Sequence, residues 1–160
     1  MSQVQKFEIK ASLKIQKPVH EVFESIVDPS RMSNYLISES TALTKDGKII
    51  TWQFAESNMQ FPVRISKEGK DKYISFSWYG AEECIETRVE ILLKPMGNET
   101  FVPITAKSRD NDKKDIKWLT RNTEGSANLL ASLKAYPEYG INLRKCAFDI
   151  SQMPTKEVVV

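Results

Sequence analysis

Side chains that could carry out acid–base or nucleophilic chemistry are few and scattered along this sequence. Its only histidine, His20, follows the apolar Val19, and its two cysteines, Cys84 and Cys146, are far apart. A catalytic triad needs a base beside its nucleophile, and a zinc site needs closely spaced cysteine or histidine ligands. Neither arrangement can be assembled here. We therefore expect no catalytic residue, no metal site and no cofactor, and an enzyme is the less favoured class of function.

The chemistry that the sequence does offer is that of an apolar binding surface. In the middle of the chain, charged residues such as Arg64, Arg88 and Glu90 alternate with apolar ones, which predicts opposite faces of strands. The apolar set is rich in aromatic rings and includes a few hydroxyls that could orient a ligand. The candidate ligand-binding residues are Trp52, Phe54, Phe61, Val63, Phe76, Trp78, Thr87 and Val89 on strands, and Thr123, Ser126 and Leu130 on a helix. The same residues could instead fill a core, and the sequence leaves this alternative open.

The length and charge of the chain restrict its partners. It has 160 residues, of which 41% are hydrophobic, and its formal net charge is only +2. Such a length predicts one domain with a real core. A charge near zero does not produce the strong positive field used in nucleic-acid binding, so we expect no nucleic-acid partner. No segment has the length and apolarity of a signal peptide or a membrane span, which predicts a cytoplasmic protein without a membrane span.

Alternating and helical patterns divide the chain into elements. Residues 7–15 alternate strictly, which predicts a strand, and a helix then begins at Pro18 and ends at the Asp28-Pro29 break. A second short helix is expected at about residues 30–36. Pro103 predicts a bulge in the last strand, because proline cannot donate a backbone hydrogen bond. Turn signals separate six further strands, expected near residues 40–45, 48–55, 60–67, 72–79, 84–94 and 99–106.

A long helix is predicted at residues 110–136, where the strand alternation is lost. Asp110 and Asp112 are suited to cap its start, and Pro137 and Gly140 predict its end. Its apolar seam should follow residues spaced by three and four, namely Ile116, Leu119, Thr123, Ser126, Leu130 and Leu133.

The order of these elements predicts an α+β fold, in which an antiparallel sheet of seven strands carries helices on one side. No internal repeat or low-complexity tract interrupts the order. We expect residues 1–150 to form this single domain and residues 151–160 to form a flexible C-terminal tail, because the tail shows no periodic pattern.

Four segments resemble a known superfamily in their order and spacing. They are KPVHEVFESIVDP at residues 17–29, KIITWQF at 48–54, YISFSW at 73–78 and LLASLKAYPEYGINLR at 129–144. Together they resemble the START-like superfamily, also called SRPBCC or helix-grip, which includes birch-pollen-allergen-like proteins. Within it, the sequence is similar to the branch related to the activator of heat-shock-protein-90 ATPase. The resemblance implies a curved seven-stranded sheet wrapped around the long helix, with a cavity that in many relatives holds an apolar ligand.

Ser126 departs from the pattern of this branch. Relatives usually carry a Gly-Trp pair in the long helix, where this chain has Gly125-Ser126. A serine in place of the tryptophan would leave space for most of an indole ring. Either a ligand occupies that space, or one of the tryptophans of this chain, Trp52, Trp78 or Trp118, fills it.

Three functions remain open. The leading expectation is a small-molecule binding domain that encloses an apolar or amphipathic ligand, lipid-like or polyphenol-like, between sheet and helix. The second is a protein-interaction or stress-response co-chaperone-like module, for which the mixed charges of residues 107–121 could form a docking surface for a chaperone or another protein. The third is a cyclase- or hydrolase-type enzyme that uses the same cavity. The sequence names neither the ligand nor the oligomeric state.

Overall fold

The strands and helices follow the predicted order in a computed structural model that describes residues 8–37, 39–40, 49–54, 60–79, 86–108 and 115–145. The helices are α1 (Val19–Val27), α2 (Pro29–Met32) and α3 (Asp115–Tyr139). The strands are β1 (Glu8–Ile15), β2 (Glu39–Ser40), β3 (Ile49–Gln53), β4 (Gln60–Gly69), β5 (Tyr73–Tyr79), β6 (Glu86–Leu92), β7 (Lys94–Met96) and β8 (Glu99–Ser108). The capping residues Asp110 and Asp112 and the tail at 151–160 lie outside the described residues, so those expectations stay predictions.

One antiparallel sheet contains the eight described strands, in the order β1-β8-β6-β5-β4-β3-β2 with β7 beside β8. The seven strands along this path confirm the predicted seven-stranded sheet, and β7 is a three-residue addition. A register shift between Ile65 and Lys67 interrupts the pairing of β4 with β5. A shift of this kind bends the strand and increases its twist, which helps the sheet to curve around a helix.

Pro103 lies beside a break in the neighbouring strand and does not cause a bulge in β8. The pairing of β8 with β1 continues in unbroken register on both sides of Pro103, so the predicted bulge there is wrong. On its other side β8 pairs with β6 as far as Ile91 and with β7 from Lys94, in the same register. In this register Leu92 and Leu93, where the pairing with β8 is missing, lie opposite Pro103 and Val102. The interruption therefore begins at Pro103, which has no N–H to donate to a neighbouring strand. The single strand predicted at residues 84–94 is therefore divided.

Asp28 ends α1 and begins α2. Its carboxylate accepts hydrogen bonds from the hydroxyl of Ser30 at 2.7 Å and from the backbone N–H of Ser30 at 2.9 Å. Both bonds stabilise the charged form and hold the pKa of Asp28 below its ordinary value. Pro29 follows at the first helical position, which its fixed φ suits. α2 is shorter than predicted, because turns replace the helix after Met32.

The turn after α2 places Tyr35 in the core. Tyr35 is 1% exposed, and its hydroxyl donates to the carbonyl of Ser25 at 2.6 Å. Its ring stacks on Tyr136 of α3, with the ring centroids 5.8 Å apart and an interplanar angle of 19°. Burial holds the pKa of Tyr35 far above its ordinary value, so the hydroxyl stays protonated and remains a donor. This contact joins the turn to α3.

The long helix α3 spans 25 residues and passes through Pro137. The predicted end at Tyr136 is too early, because a proline in the last turn removes only one helical hydrogen bond. Gly140, with φ at +68°, ends the helix, and its N–H donates to the carbonyl of Tyr136 at 2.8 Å. In the described part of the chain, no helix combines the length and the apolarity that crossing a membrane requires.

The last turns of α3 are fastened to the edge strand β1. Glu138 accepts hydrogen bonds from the backbone N–H of Gln16 and from Lys134 Nζ, and Lys134 Nζ also donates to the carbonyl of Lys14 at 2.8 Å. Burial raises the pKa of Glu138, but these donors together outweigh burial and bring the pKa below its ordinary value. α3 is thereby held over one face of the sheet.

Candidate functional site

A cavity of about 600 Å³ lies between the sheet and α3. Residues of β3, β5, β6 and β8 form its sheet wall, α3 forms its helical wall, and the turn after α2 closes part of one end. The sheet wall is mostly apolar, because every second side chain of a strand points to the same face. The charged residues of the other parity, Arg64, Arg88 and Glu90, are exposed, as the alternation predicts.

The structure brings together most of the predicted ligand-binding residues. Those that line the cavity are Trp52, Phe54, Phe76, Trp78, Thr87, Val89 and Ser126. Val63 and Leu130 are buried in the core but lie outside the cavity wall. Thr123 is exposed, so its predicted position facing the sheet is wrong. The side chain of Phe61 is outside the described part of the chain. Ligand binding by any of these residues stays a prediction.

Trp118 determines which face of α3 points toward the sheet. Its side chain is 1% exposed, and the helical wall continues through Asn122 and Ser126, each four residues further on. Thr123 lies about 100° around the helix from Asn122. Its hydroxyl donates to the carbonyl of Leu119 at 2.6 Å rather than toward the cavity. Burying an indole stabilises a fold more than burying a threonine methyl group, so the first half of α3 turns Trp118 rather than Thr123 toward the sheet. Ser126, Leu130 and Leu133 of the predicted seam are buried.

A hydrogen bond between Trp118 and Thr87 joins α3 to β6 inside the cavity wall. The indole N–H of Trp118 donates to Oγ1 of Thr87 at 2.7 Å, and Thr87 is 3% exposed. Because Thr87 accepts this bond, its own hydroxyl hydrogen is directed away from the indole and can donate to a ligand oxygen. From the sequence, Trp118 was expected only as one of the residues that could fill the space beside Ser126. It occupies part of the wall, and the cavity of about 600 Å³ remains beside it.

Aromatic rings supply much of the sheet wall. Trp52 and Phe76 contact each other with ring centroids 5.4 Å apart and an interplanar angle of 59°. Such tilted pairs add stability beyond the area that they bury. The three tryptophans of the chain, Trp52, Trp78 and Trp118, all line the cavity. Their fluorescence therefore reports on the content of this one site.

Charged side chains lie at the rim of the cavity. Arg121, Glu124 and Gly125 line it and are exposed, so the cavity reaches the surface along α3. Arg144 lies beyond the end of α3, and its guanidinium carbon is 4.7 Å from the centroid of the Phe54 ring. Sequence reasoning missed Arg144 as a wall residue, because no local spacing relates it to Phe54. Its only signal was its position in the last segment of the family resemblance.

The arrangement is better suited to binding than to proton transfer. Among the described residues of the wall, Glu124 is the only carboxylate, and it is exposed. His20 is exposed and lies outside the wall, with Nδ1 3.0 Å from Oδ1 of Asp71. Within the described ranges there is no group of three or more histidine, cysteine, aspartate or glutamate side chains that could hold a metal ion. Cys84 and Cys146 are not among the described residues.

A curved antiparallel sheet packed on one long helix, with a cavity between them, defines a helix-grip protein of the START-like class. The chain belongs to the family described as activator of Hsp90 ATPase homolog 1-like protein, whose sequence profile matches residues 16–138. The match extends from the end of β1 to the last turn of α3 and confirms the resemblance seen in the sequence. Among curated proteins, no sequence matches the chain at a significant level.

Solved structures share this fold. The crystal structure of protein SSP2350 from Staphylococcus saprophyticus is 28% identical, with a TM-score of 0.73 over 86% of this chain and 96% of that one. The solution structure of the Aha1 dimer from Colwellia psychrerythraea is 18% identical, with a TM-score of 0.70 over 84% and 98% of the two chains. CalU16 from Micromonospora echinospora is 15% identical, with a TM-score of 0.65 over 84% and 83%. At such low identity, the last two show the fold alone.

Proposed function

We propose that the protein binds an apolar or amphipathic small molecule between the sheet and α3. The observation that carries this proposal is the cavity of about 600 Å³, whose wall is mostly aromatic and aliphatic and whose charged groups lie at the rim. Proteins of this fold often bind small hydrophobic ligands, which supports the same function. Apolar contact would supply the affinity, and the hydroxyls of Thr87 and Ser126 would orient the ligand.

The size of the cavity sets the scale of the ligand. Its volume of about 600 Å³ lies within the range of small-molecule sites, which is about 300–1,000 Å³. Filled with water it would hold about 20 molecules, at about 30 Å³ each. A ligand of roughly 25 non-hydrogen atoms that contributes about −0.3 kcal/mol per atom would bind with about −7.5 kcal/mol, a Kd of a few micromolar. Such an affinity is measurable by titration.

Titration with a neutral apolar dye tests the proposal. We expect N-phenyl-1-naphthylamine to bind once per chain, with a saturable rise in its emission, because the cavity excludes most water from the bound dye. The emission of the tryptophans should fall at the same dye concentrations, since Trp52, Trp78 and Trp118 all line the cavity. Absence of saturable binding by this dye and by a panel of lipids and polyphenols would overturn the proposal.

A blocking variant locates the bound dye. Ser126 is 8% exposed and lines the cavity, so Ser126→Trp places an indole in the proposed site and should abolish dye binding. Ala127 is exposed on the same helix, and Ala127→Trp adds the same ring outside the cavity and should leave binding unchanged. Circular dichroism establishes that both variants are folded. Undiminished binding by a folded Ser126→Trp variant would show that the dye binds elsewhere.

A protein-interaction function is the second candidate, and family membership is the observation that favours it. The family is described by its similarity to an activator of the Hsp90 ATPase. If the chain acts as a co-chaperone-like module, adding it to a purified Hsp90 should raise the rate of ATP hydrolysis in proportion to the complex formed. An unchanged rate, together with no chaperone in a pull-down, would remove this candidate.

The proposed location of the protein, for either function, is the cytoplasm, which cell fractionation would test.

A further inference from the structure

Thr87 presents a hydrogen-bond donor inside the cavity wall. Its side chain lines the cavity from β6 and is 3% exposed. A threonine hydroxyl has one hydrogen and two lone pairs, and the indole N–H of Trp118 donates to this oxygen at 2.7 Å. The hydroxyl hydrogen must therefore turn away from the indole. Among the described residues, Trp118 is the only hydrogen-bond partner of this hydroxyl, so its hydrogen has no acceptor there.

The hydroxyl of Ser126 is less restricted than that of Thr87. Ser126 lines the cavity from α3 and is 8% exposed, and within the described part of the chain no hydrogen bond holds its hydroxyl. It can therefore donate to a ligand or accept from one. Thr87 differs because its oxygen already accepts from Trp118, whereas a buried donor without an acceptor costs free energy. Thr87 thus favours a ligand that brings an acceptor oxygen.

The depth of Thr87 restricts the charge of the group that it meets. Arg121 and Glu124 are exposed and Arg144 is partly exposed, so no charged side chain among the described wall residues is buried. An ionised head group beside Thr87 would lose its hydration, which is costly without a buried charge of opposite sign. A neutral carbonyl oxygen costs much less to bury, and a hydrogen bond from Thr87 offsets that cost.

We propose that the ligand is a neutral carbonyl compound, such as an apolar ketone, whose oxygen accepts a hydrogen bond from Thr87 while its apolar body contacts the aromatic wall. This inference rests on the proposed binding function and adds the chemical class of the ligand. Because the indole of Trp118 restricts the orientation of the hydroxyl, the donor is in place before the ligand binds. Such preorganisation lowers the entropy that binding costs.

Two compounds that differ only at the acceptor test the proposal. Benzophenone and 1,1-diphenylethylene have the same shape, and the C=O group of the first is a C=CH2 group in the second. Each would be used to displace N-phenyl-1-naphthylamine from the full-length protein. The quantity compared between variants is the ratio of the two displacing concentrations, because the hydration of each free compound contributes equally to every variant. Loss of the Thr87 hydroxyl should change this ratio about tenfold against benzophenone, which corresponds to about 1.4 kcal/mol.

The variants are made in a Trp118→Phe background. With Thr87→Val alone, the indole N–H could donate to the ketone in place of the hydroxyl. In the Trp118→Phe background, Thr87→Val should weaken benzophenone about tenfold relative to 1,1-diphenylethylene. The matched control is Thr105→Val, which removes a hydroxyl on the opposite side of β8 from the cavity and should leave the ratio unchanged. Saturable binding of 1,1-diphenylethylene by each variant shows that the cavity is intact.

The infrared spectrum of bound benzophenone gives a second measurement, which needs no variant. The difference between spectra taken with unlabelled ketone and with ketone isotope-labelled at the carbonyl carbon isolates its C=O band from those of the protein. A hydrogen bond to the oxygen weakens the C=O bond, so we expect the bound ketone to absorb at a lower frequency than it does in hexane. A band at the frequency found in hexane would overturn the proposal.

The outcomes distinguish this inference from the function on which it rests. If both compounds displace the dye and the ratio is the same with threonine or valine at position 87, the carbonyl assignment fails and the binding function stands. An equal change of the ratio in Thr105→Val would also overturn the role of Thr87, because the effect would not be local. If neither compound displaces the dye and the dye itself does not bind, the proposed function fails.

Discussion

The hydrogen bond between Trp118 and Thr87 gives a sharp test of how α3 is held on the sheet. The indole N–H donates to Thr87 Oγ1 at 2.7 Å, and the two residues are 1% and 3% exposed. Thr87→Val replaces the hydroxyl with a methyl group of similar shape. The substitution therefore removes the acceptor and leaves the buried indole N–H without this partner, while the packing of β6 changes little.

The expected cost follows from burial. A buried donor that loses its acceptor costs about 1–3 kcal/mol, and 2 kcal/mol is a central value. For a chain of this length, 1 kcal/mol corresponds to a change in Tm of about 2–4 °C, so Thr87→Val should lower Tm by about 4–8 °C. The control is Thr105→Val, because Thr105 is half-buried on the opposite side of β8 from the cavity. Thermal unfolding followed by circular dichroism measures both variants.

A double-mutant cycle isolates the bond itself. Trp118→Phe removes the donor but keeps an aromatic ring, so adding Thr87→Val to this variant should cost little further stability. If Thr87→Val lowers Tm no more than Thr105→Val does, the bond does not hold the helix. If it lowers Tm equally with tryptophan or phenylalanine at position 118, the loss comes from β6 alone. Either result would refute the reasoning.

Two further predictions concern the middle and the end of α3. A Cβ added at Gly125 meets no atom within 4 Å. Gly125→Ala should therefore gain about 1 kcal/mol from helix propensity and raise Tm by about 2–4 °C. A fall in Tm would contradict this prediction. The pKa of Glu138 lies below its ordinary value of 4.5, because the donors around the carboxylate outweigh its burial. The ionised carboxylate therefore stabilises the folded protein in full above about pH 4.5. This contribution is lost as the pH falls through the pKa that Glu138 has in the folded protein. Glu138→Gln should therefore lower Tm more at pH 7 than at pH 3, and an equal loss at both pH values would show that the charge is not involved.

The sheet could be predicted from the sequence because its signal has a period of two residues. Once the alternation assigned Val89 to the interior, it also assigned Arg88 and Glu90 to solvent, and the structure agrees with all three. The helical seam could be predicted less well. A strict alternation of three and four residues drifts around a real helix by about 20° in every seven residues. Thr123 followed that pattern and is exposed, whereas Trp118 lies on the face that is buried.

The rim of the cavity could not be predicted from local patterns. Arg144 is a wall residue because its guanidinium lies over Phe54, which is distant in the sequence. Whether the chain would return there depended on where α3 ends. Pro137 indicated an early end, and the conformation of Gly140 shows the true one. Contacts that depend on the direction of the chain after a helix leave no periodic signal.

The fastening of α3 to β1 also affects how copies of this chain can associate. An edge strand offers backbone groups to which a strand of another molecule can add. On β1 and directly after it, the carbonyl of Lys14 accepts from Lys134 and the N–H of Gln16 donates to Glu138, so side chains of the same molecule occupy these groups. An incoming strand would have to displace a part-buried ion pair at this part of the edge. The contact that positions the long helix therefore also hinders the addition of a strand at this end of β1.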